Sequence, residues 1–260
     1  MEGQFFTDTE QLSICVAGGD MPLFLVKPRQ YGPFPALLLC MGMYGLTASV
    51  RSLATLLAER GFAVFVPDLY YAHTTAHSTL SHGGSAVSEP HAAFHPGSLD
   101  EALDAMHLLD EERSVADLGR ATHFIAGRRD VRPGALAAMG VCMGAKWSLL
   151  YACENPSALS CVSCYYPTGL ESCLEGILRL NVPVQIVAAG QDLYTSTHML
   201  ERFRRDQRRC NASNELLSFD AGHDFLDFDR PTYDPLVAAQ ALERTVVFFD
   251  RHQQLQPMGA

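Results

Sequence analysis

Residues 135–144, Ala-Leu-Ala-Ala-Met-Gly-Val-Cys-Met-Gly, constrain this chain more than any other stretch. The run is unbroken and apolar but too short for a buried helix. Gly140 and Gly144 punctuate it, and helix-forming residues follow at once, so it predicts a buried strand turning sharply into a helix. Comparable apolar runs occur at 36–40, 62–66, 159–165, 184–189 and 215–219. Between them lie amphipathic segments at 46–60, 98–112, 114–126, 143–153, 197–209 and 235–252. The first of these carries Leu53, Leu56 and Leu57 on one face and stops at Gly61, a standard helix-ending residue. Residues 11–17 and 21–27 flank Gly18-Gly19-Asp20 and predict a hairpin. Strand–helix alternation of this kind predicts an α/β fold, a mostly parallel central sheet with helices on both faces. No internal repeat or Ser/Pro-rich linker interrupts it, so residues 1–260 are expected to form a single domain.

Composition narrows the function classes. Of 260 residues, 48% are hydrophobic and 18% charged, which excludes a disordered or collagen-like chain. The net charge is −10 and no long basic stretch exists, which argues against nucleic acid as a partner. The N-terminus lacks a basic segment leading into an apolar one, and no apolar run nears the ~20 residues that span a bilayer. A cytoplasmic protein with no membrane partner is expected. Eight cysteines scattered through apolar segments read as reduced thiols in such a compartment. Cys161 and Cys164 have redox-motif spacing, but no second pair and no helix start accompany them.

The turn Gly140-Val141-Cys142-Met143-Gly144 carries the sharpest chemistry. A nucleophile on a strand-to-helix turn needs a strained backbone, and glycines two residues to either side allow the close packing that follows. The position sets the Cys142 sulfur at a helix N-terminus, where the positive dipole end favours thiolate, the nucleophilic form. Two later strand ends supply partners. The 184–189 strand runs into Gly190-Gln191-Asp192, and the 215–219 strand into Asp220-Ala221-Gly222-His223. Cysteine, acid and histidine thus follow one another in α/β-hydrolase order, each at a carboxyl end of a strand. His223 is the expected proton carrier, and Asp192 the residue orienting its ring.

These motifs resemble those of the dienelactone hydrolase family of α/β-hydrolases from about residue 10 to 250. The matching stretches are Leu38–Leu46 (LLCMGMYGL), Gly61–Tyr70 (GFAVFVPDLY), GVCMGA around Cys142, Gly190–Asp192 (GQD) and Ala221–Phe225 (AGHDF). The resemblance implies a Cys142–His223–Asp192 triad opening a small-molecule ester or lactone through an acyl-thioester, with no cofactor. It also implies an oxyanion hole made by the backbone N–H groups of Met43 and Met143. The best-known members place a glutamate beside the nucleophile where this chain has Gly42, and no acidic residue lies between Asp20 and Glu59. A standing thiolate–imidazolium pair between Cys142 and His223 is therefore expected. The two arginines that hold a substrate carboxylate in those members are also missing: the neighbourhoods read Tyr70-Tyr71-Ala72-His73 and Phe225-Leu226-Asp227. Arg230, three residues further on, reads as a surface or salt-bridged residue. A neutral or less polar substrate follows, in a pocket of Met41, Met43, Tyr44, Tyr70, Tyr71 and Met143.

Five of the ten histidines lie in residues 73–95, at 73, 77, 82, 91 and 95. Gly83-Gly84, Pro90 and Pro96 argue for a long entrance loop there rather than a metal-binding helix. No metal site is expected, since no Cys/His pair elsewhere has closed zinc spacing. Lys146 reads as solvated or paired, and Trp147 as packing. An acyltransferase or thioesterase on the same intermediate, or a non-catalytic ligand-binding relative, remains open at this point, as does the oligomeric state.

Overall fold

The computed structural model describes residues 5–72, 96–171, 174–210 and 213–253. Its strands are β1 (Thr7–Val16), β2 (Gly19–Pro28), β3 (Phe34–Cys40), β4 (Ala63–Pro67), β5 (Val131–Val141), β6 (Val162–Tyr165), β7 (Val184–Ala189) and β8 (Glu215–Phe219). They form one sheet in the order β1-β2-β4-β3-β5-β6-β7-β8. The hairpin β1–β2 and the pair β2–β4 are antiparallel, and every later pair is parallel. β3 and β4 bury all or nearly all of their side chains, as unbroken apolar runs in the middle of a parallel sheet must.

The helices are α1 (Ala48–Ala58), α2 (Leu99–His107), α3 (Glu111–Ala126), α4 (Met143–Glu154), α5 (Leu174–Ile177), α6 (Thr197–Cys210) and α7 (Pro235–Gln253). Helices α1 and α7 lie on the sheet and share the lining of a cavity, with α1 turning Val50, Leu53 and Leu57 inward and α7 turning Phe248 and Phe249 inward. Helices α3 and α4 pack together against β5. Thr47 caps α1, its hydroxyl accepting from Val50 N–H at 3.2 Å. Beyond that helix Gly61 takes φ +97°, a conformation that a side chain would strain. At the other end of the sheet Gln253 donates to the carbonyls of Ala36 and Ala135 at 2.8 and 2.9 Å, tying α7 under β3 and β5. Among the described residues no helix is long and apolar enough to cross a membrane.

Several boundaries differ from the sequence reading, and β1, read from residue 11, begins at Thr7. The helix expected at 98–112 ends at His107, because the Asp110 carboxylate accepts from Arg113 N–H at 2.8 Å and starts α3 there. β5 begins at Val131, four residues early. Its register against β3 shifts between Phe34 and Ala36, and the extra length is taken up where Gly134 has φ +71°. β6 begins at Val162, although Ser160 N–H still bonds Leu136 O at 2.8 Å. The His-rich stretch 73–95 lies outside the described residues.

Candidate active site

Strand β5 delivers its last residue, Val141, to the sheet's carboxyl edge, and Cys142 stands alone between it and α4. Cys142 has φ 52° and ψ −119°, a conformation costly for a residue with a Cβ, and its N–H is held by Tyr165 O at 3.0 Å. Both flanking glycines are needed. A Cβ on Gly140 would sit 2.3 Å from Gly144 O, and one on Gly144 would sit 2.2 Å from Cys40 O. Removing side chains there lets β3, β5 and α4 close around the turn. Cys142 is buried and faces a cleft of about 30 Å³.

The loops after β7 and β8 converge on it. Asp192 folds its loop around its own carboxylate: Oδ1 accepts from Tyr194 N–H (2.7 Å) and Thr195 N–H (3.2 Å), and Oδ2 from Thr195 Oγ1 (2.8 Å). The same Oδ2 lies 2.8 Å from His223 Nδ1. Burial works against the carboxylate, but the hydrogen bonds from His223, Tyr194 and Thr195 outweigh it and hold Asp192 below its ordinary range. The His223 ring is wedged between Tyr166 (centroids 4.9 Å apart) and Tyr194 (5.1 Å). Burial pulls its pKa down, yet the bond to Asp192 and the neighbouring Cys142 sulfur push it up to about 10. The Cys142 Sγ, a His223 ring nitrogen and an Asp224 carboxylate oxygen all lie within 4.8 Å of one another. A sulfur, a protonated imidazole and an orienting carboxylate in this line can pass a proton to and from a reacting acyl group.

Met143 opens α4, so its N–H is one of the first four in the helix and has no acceptor within it. Met43 lines the cleft, and its carbonyl accepts from Tyr70 Oη at 2.9 Å. Tyr70 is fully buried and supports that loop from behind, its hydroxyl also 3.9 Å from Met143 Sδ. Tyr44 lines the cleft. Met41 does not: it is fully buried, with no part among the residues lining the cleft. Tyr71 also departs from expectation, because its hydroxyl turns to Asp117 (2.8 Å) and receives Arg113 (2.7 Å) on the far side of the loop.

Gly42 faces the nucleophile with room to spare, since a Cβ there would lie 3.6 Å from Cys142 Cβ. Lys146, one turn into α4, is paired with Glu111 at 2.8 Å and packs on the Trp147 ring. Arg230 stacks on Tyr44, 3.4 Å from the ring centroid, with its Nε 3.5 Å from Asp227. Among the described residues, those that line the cleft include two carboxylates, Asp224 and Asp227, and no Lys or Arg. Sequence reasoning missed Asp224, Tyr166, Tyr194 and Thr195. All four lie within two or three residues of a strand end or triad member, which was the available signal.

Comparison with known proteins agrees with this architecture. Residues 21–253 match the model of the dienelactone hydrolase family. A carboxymethylenebutenolidase of Rhodococcus opacus is 25% identical over 245 residues, 90% of this chain and 88% of that protein. Among solved structures, a dienelactone hydrolase-like promiscuous phosphotriesterase from metagenomic libraries superposes with a TM-score of 0.74 at 17% identity, covering 95% and 98% of the two chains. A dienelactone hydrolase of Anabaena variabilis gives 0.67 at 17%, with the same coverage, and the shared fold is that of α/β-hydrolases.

Proposed function

This chain belongs to the dienelactone hydrolase family, and on that premise we propose that it hydrolyses a carboxylic ester or lactone by passing the acyl group to Cys142 and then to water. The thiolate attacks the carbonyl carbon, and the oxyanion that forms is received by the N–H groups of Met143 and Met43. One such donor contributes roughly 3 kcal/mol to the transition state. As the tetrahedral adduct collapses, His223 gives its Nε2 proton to the departing alkoxide, which in a lactone stays tethered to the acyl chain. His223 then takes a proton from water while the water oxygen attacks the thioester. The sulfur leaves as thiolate, and the thiolate–imidazolium pair is restored. Asp192 keeps the Nδ1 proton in place and stabilises the imidazolium throughout.

The observation that carries this reading is the 2.8 Å contact between Asp192 and His223, with the ring set beside a sulfur on a strained strand–helix turn. A neutral acyl group suits the cleft better than a carboxylate-bearing one. Its charged lining residues are Asp224 and Asp227, and Arg230 is engaged with Asp227 and Tyr44. The test is a rapid-mixing experiment with a neutral nitrophenyl ester. The expected result is a burst of about one nitrophenolate per chain, a single acyl adduct mapping to Cys142, and decay of that adduct at the turnover rate. Turnover that survives Cys142→Ala refutes it. Faster adduct decay with added alcohols or thiols favours acyl transfer over hydrolysis.

A further inference from the structure

The hydrolytic relay leaves the carboxylate next to its own histidine unused. Asp224 follows His223 directly, with φ 62°, and its Oδ1 lies 3.6 Å from His223 Nε2. Together with the Cys142 sulfur, these atoms form a cluster spanning no more than 4.8 Å, two of its members buried and the third half-buried. We propose that Cys142, His223 and Asp224 bind a divalent cation of borderline softness, Zn²⁺ or Co²⁺, and that this cation switches the hydrolase off.

The donor set fits such an ion. A tetrahedral zinc with sulfur at ~2.3 Å and nitrogen and oxygen at ~2.0 Å spaces its donors roughly 3.3–3.6 Å apart. The His223–Asp224 separation of 3.6 Å is close to that spacing, and the sulfur, within 4.8 Å of both donors, need move by no more than about 1.5 Å. The second shell is in place as well. His223 directs Nδ1 to the Asp192 carboxylate at 2.8 Å, the arrangement that turns the opposite nitrogen toward a metal and raises its basicity. Thiolate and carboxylate together neutralise a dication, and the thiolate selects zinc or cobalt over magnesium or calcium. Three protein donors leave a fourth position facing the cleft for water. Binding displaces to solvent the proton that cysteine and histidine share. It occupies both the attacking sulfur and the proton-carrying nitrogen, so the ester cannot react. Asp224 is the residue that turns a cysteine–histidine pair into a three-donor site.

The inhibitory consequence rests on the hydrolase reading, whereas binding does not, and the experiment reads the two separately. Co²⁺ is titrated into the intact protein while thiolate-to-cobalt charge transfer and ligand-field absorption are followed. Zn²⁺ is then titrated by calorimetry, and neutral-ester hydrolysis is measured in parallel. The expected result is one Co²⁺ per chain with a thiolate band and tetrahedral intensity, displaced by Zn²⁺ and abolished by Cys142→Ser. Saturating Zn²⁺ lowers hydrolysis at least tenfold, a chelator restores it, and Mg²⁺ leaves it unchanged. Asp224→Asn weakens Zn²⁺ binding by 10–100-fold or more, read by calorimetry. Cobalt binding without a thiolate band, or unchanged Zn²⁺ affinity in Asp224→Asn and Asp224→Ala, overturns the site. A thiolate–cobalt band in a chain that releases no nitrophenolate supports the site and refutes the hydrolase reading.

Discussion

Replacing Asp192 with Asn removes the negative charge of the relay while keeping most of its loop intact. Oδ1 accepts from the N–H groups of Tyr194 and Thr195, and an amide oxygen can keep both bonds. The amide nitrogen then stands where Oδ2 met His223 Nδ1 at 2.8 Å, and it donates. Nδ1 becomes an acceptor and the ring proton moves to Nε2, so a neutral ring has no lone pair to offer the thiol or the water. The lost charge-assisted bond is worth about 1.5–3 kcal/mol, or roughly 10- to 150-fold in rate. The wrong tautomer adds to that. The same exchange in a serine triad costs ~10⁴ in kcat, and a thiol ionises more readily than a hydroxyl, so a loss on the order of 10²–10³ is expected here.

Two assays check this prediction. The kcat/KM for a neutral nitrophenyl ester measures the loss directly. Iodoacetamide labelling of Cys142, resolved by peptide mass spectrometry across pH, measures the ion pair. Asp192 is one of the groups holding His223 up at about 10, so without it the imidazolium persists over a narrower pH range and labelling near pH 7 slows. Thermal unfolding is the control. Loss of about 1 kcal/mol moves Tm by ~2–4 °C in a chain of this size, so a larger drop would signal damage to the loop. A kcat/KM within threefold of the parent, with Tm preserved, refutes the assigned role of Asp192.

Four further substitutions have definite expected outcomes. Gly144→Ala forces a Cβ to within 2.2 Å of Cys40 O and 2.5 Å of Met41 O, backbone atoms that cannot yield; overpacking of this kind costs ~1–3 kcal/mol, and activity should fall with Tm. Gly42→Ala meets nothing closer than 3.6 Å and should leave Tm within ~2 °C, so equal behaviour of the two variants contradicts the packing described. Tyr70→Phe strips the hydrogen bond from Met43 O at a cost of ~1–3 kcal/mol and should lower kcat with KM within twofold, whereas a pure rise in KM argues against a role for the loop in the transition state. Burial holds Asp68 up at about 6 against ~3.9 in an unfolded chain, so the ionised form is the one the fold disfavours and stability falls as pH rises through that window. Asp68→Asn should therefore stabilise the protein at pH 8 by on the order of 2–3 kcal/mol and confer no gain at pH 3; a gain independent of pH would show that charge is not the cause.

What the sequence makes legible here is what local chemistry dictates. The central parts of strands β3, β4, β5 and β7 are readable because a strand covered on both faces must be apolar there, although β3 runs back through Pro35 and β5 through Pro133 and Gly134. Cys142, Asp192 and His223 are readable because each occupies the first few positions beyond the end of a strand, where the fold collects polar groups. The direction of a loop side chain is another matter. Tyr70 and Tyr71 are adjacent, yet one supports the Met43 carbonyl and the other turns to Asp117, a distinction set by the path of the chain and by α3. The break between α2 and α3 was misplaced for a similar reason: Leu108 and Leu109 continue the apolar pattern, and only the Asp110 cap reveals that the helix has stopped.

Charge, more than shape, distinguishes this site from the family pattern it otherwise repeats. A Cβ at position 42 would make only ordinary contact with Cys142 and Val141. Acidity enters the cleft from the loop after β8, where Asp224 and Asp227 both line it. Buried carboxylates repel one another and so need a cation: burial and Asp227 raise the Asp224 pKa, while His223 and Arg230 lower it. Arg230 is therefore better understood as a counter-ion to the loop than as a substrate ligand, and its stacking on Tyr44 anchors that loop to the rim of the cleft. An acyl group carrying its own carboxylate would compete for a guanidinium already shared, against two fixed negative charges. A neutral acyl group meets no such opposition, and a dication finds the charge it needs already gathered around the sulfur.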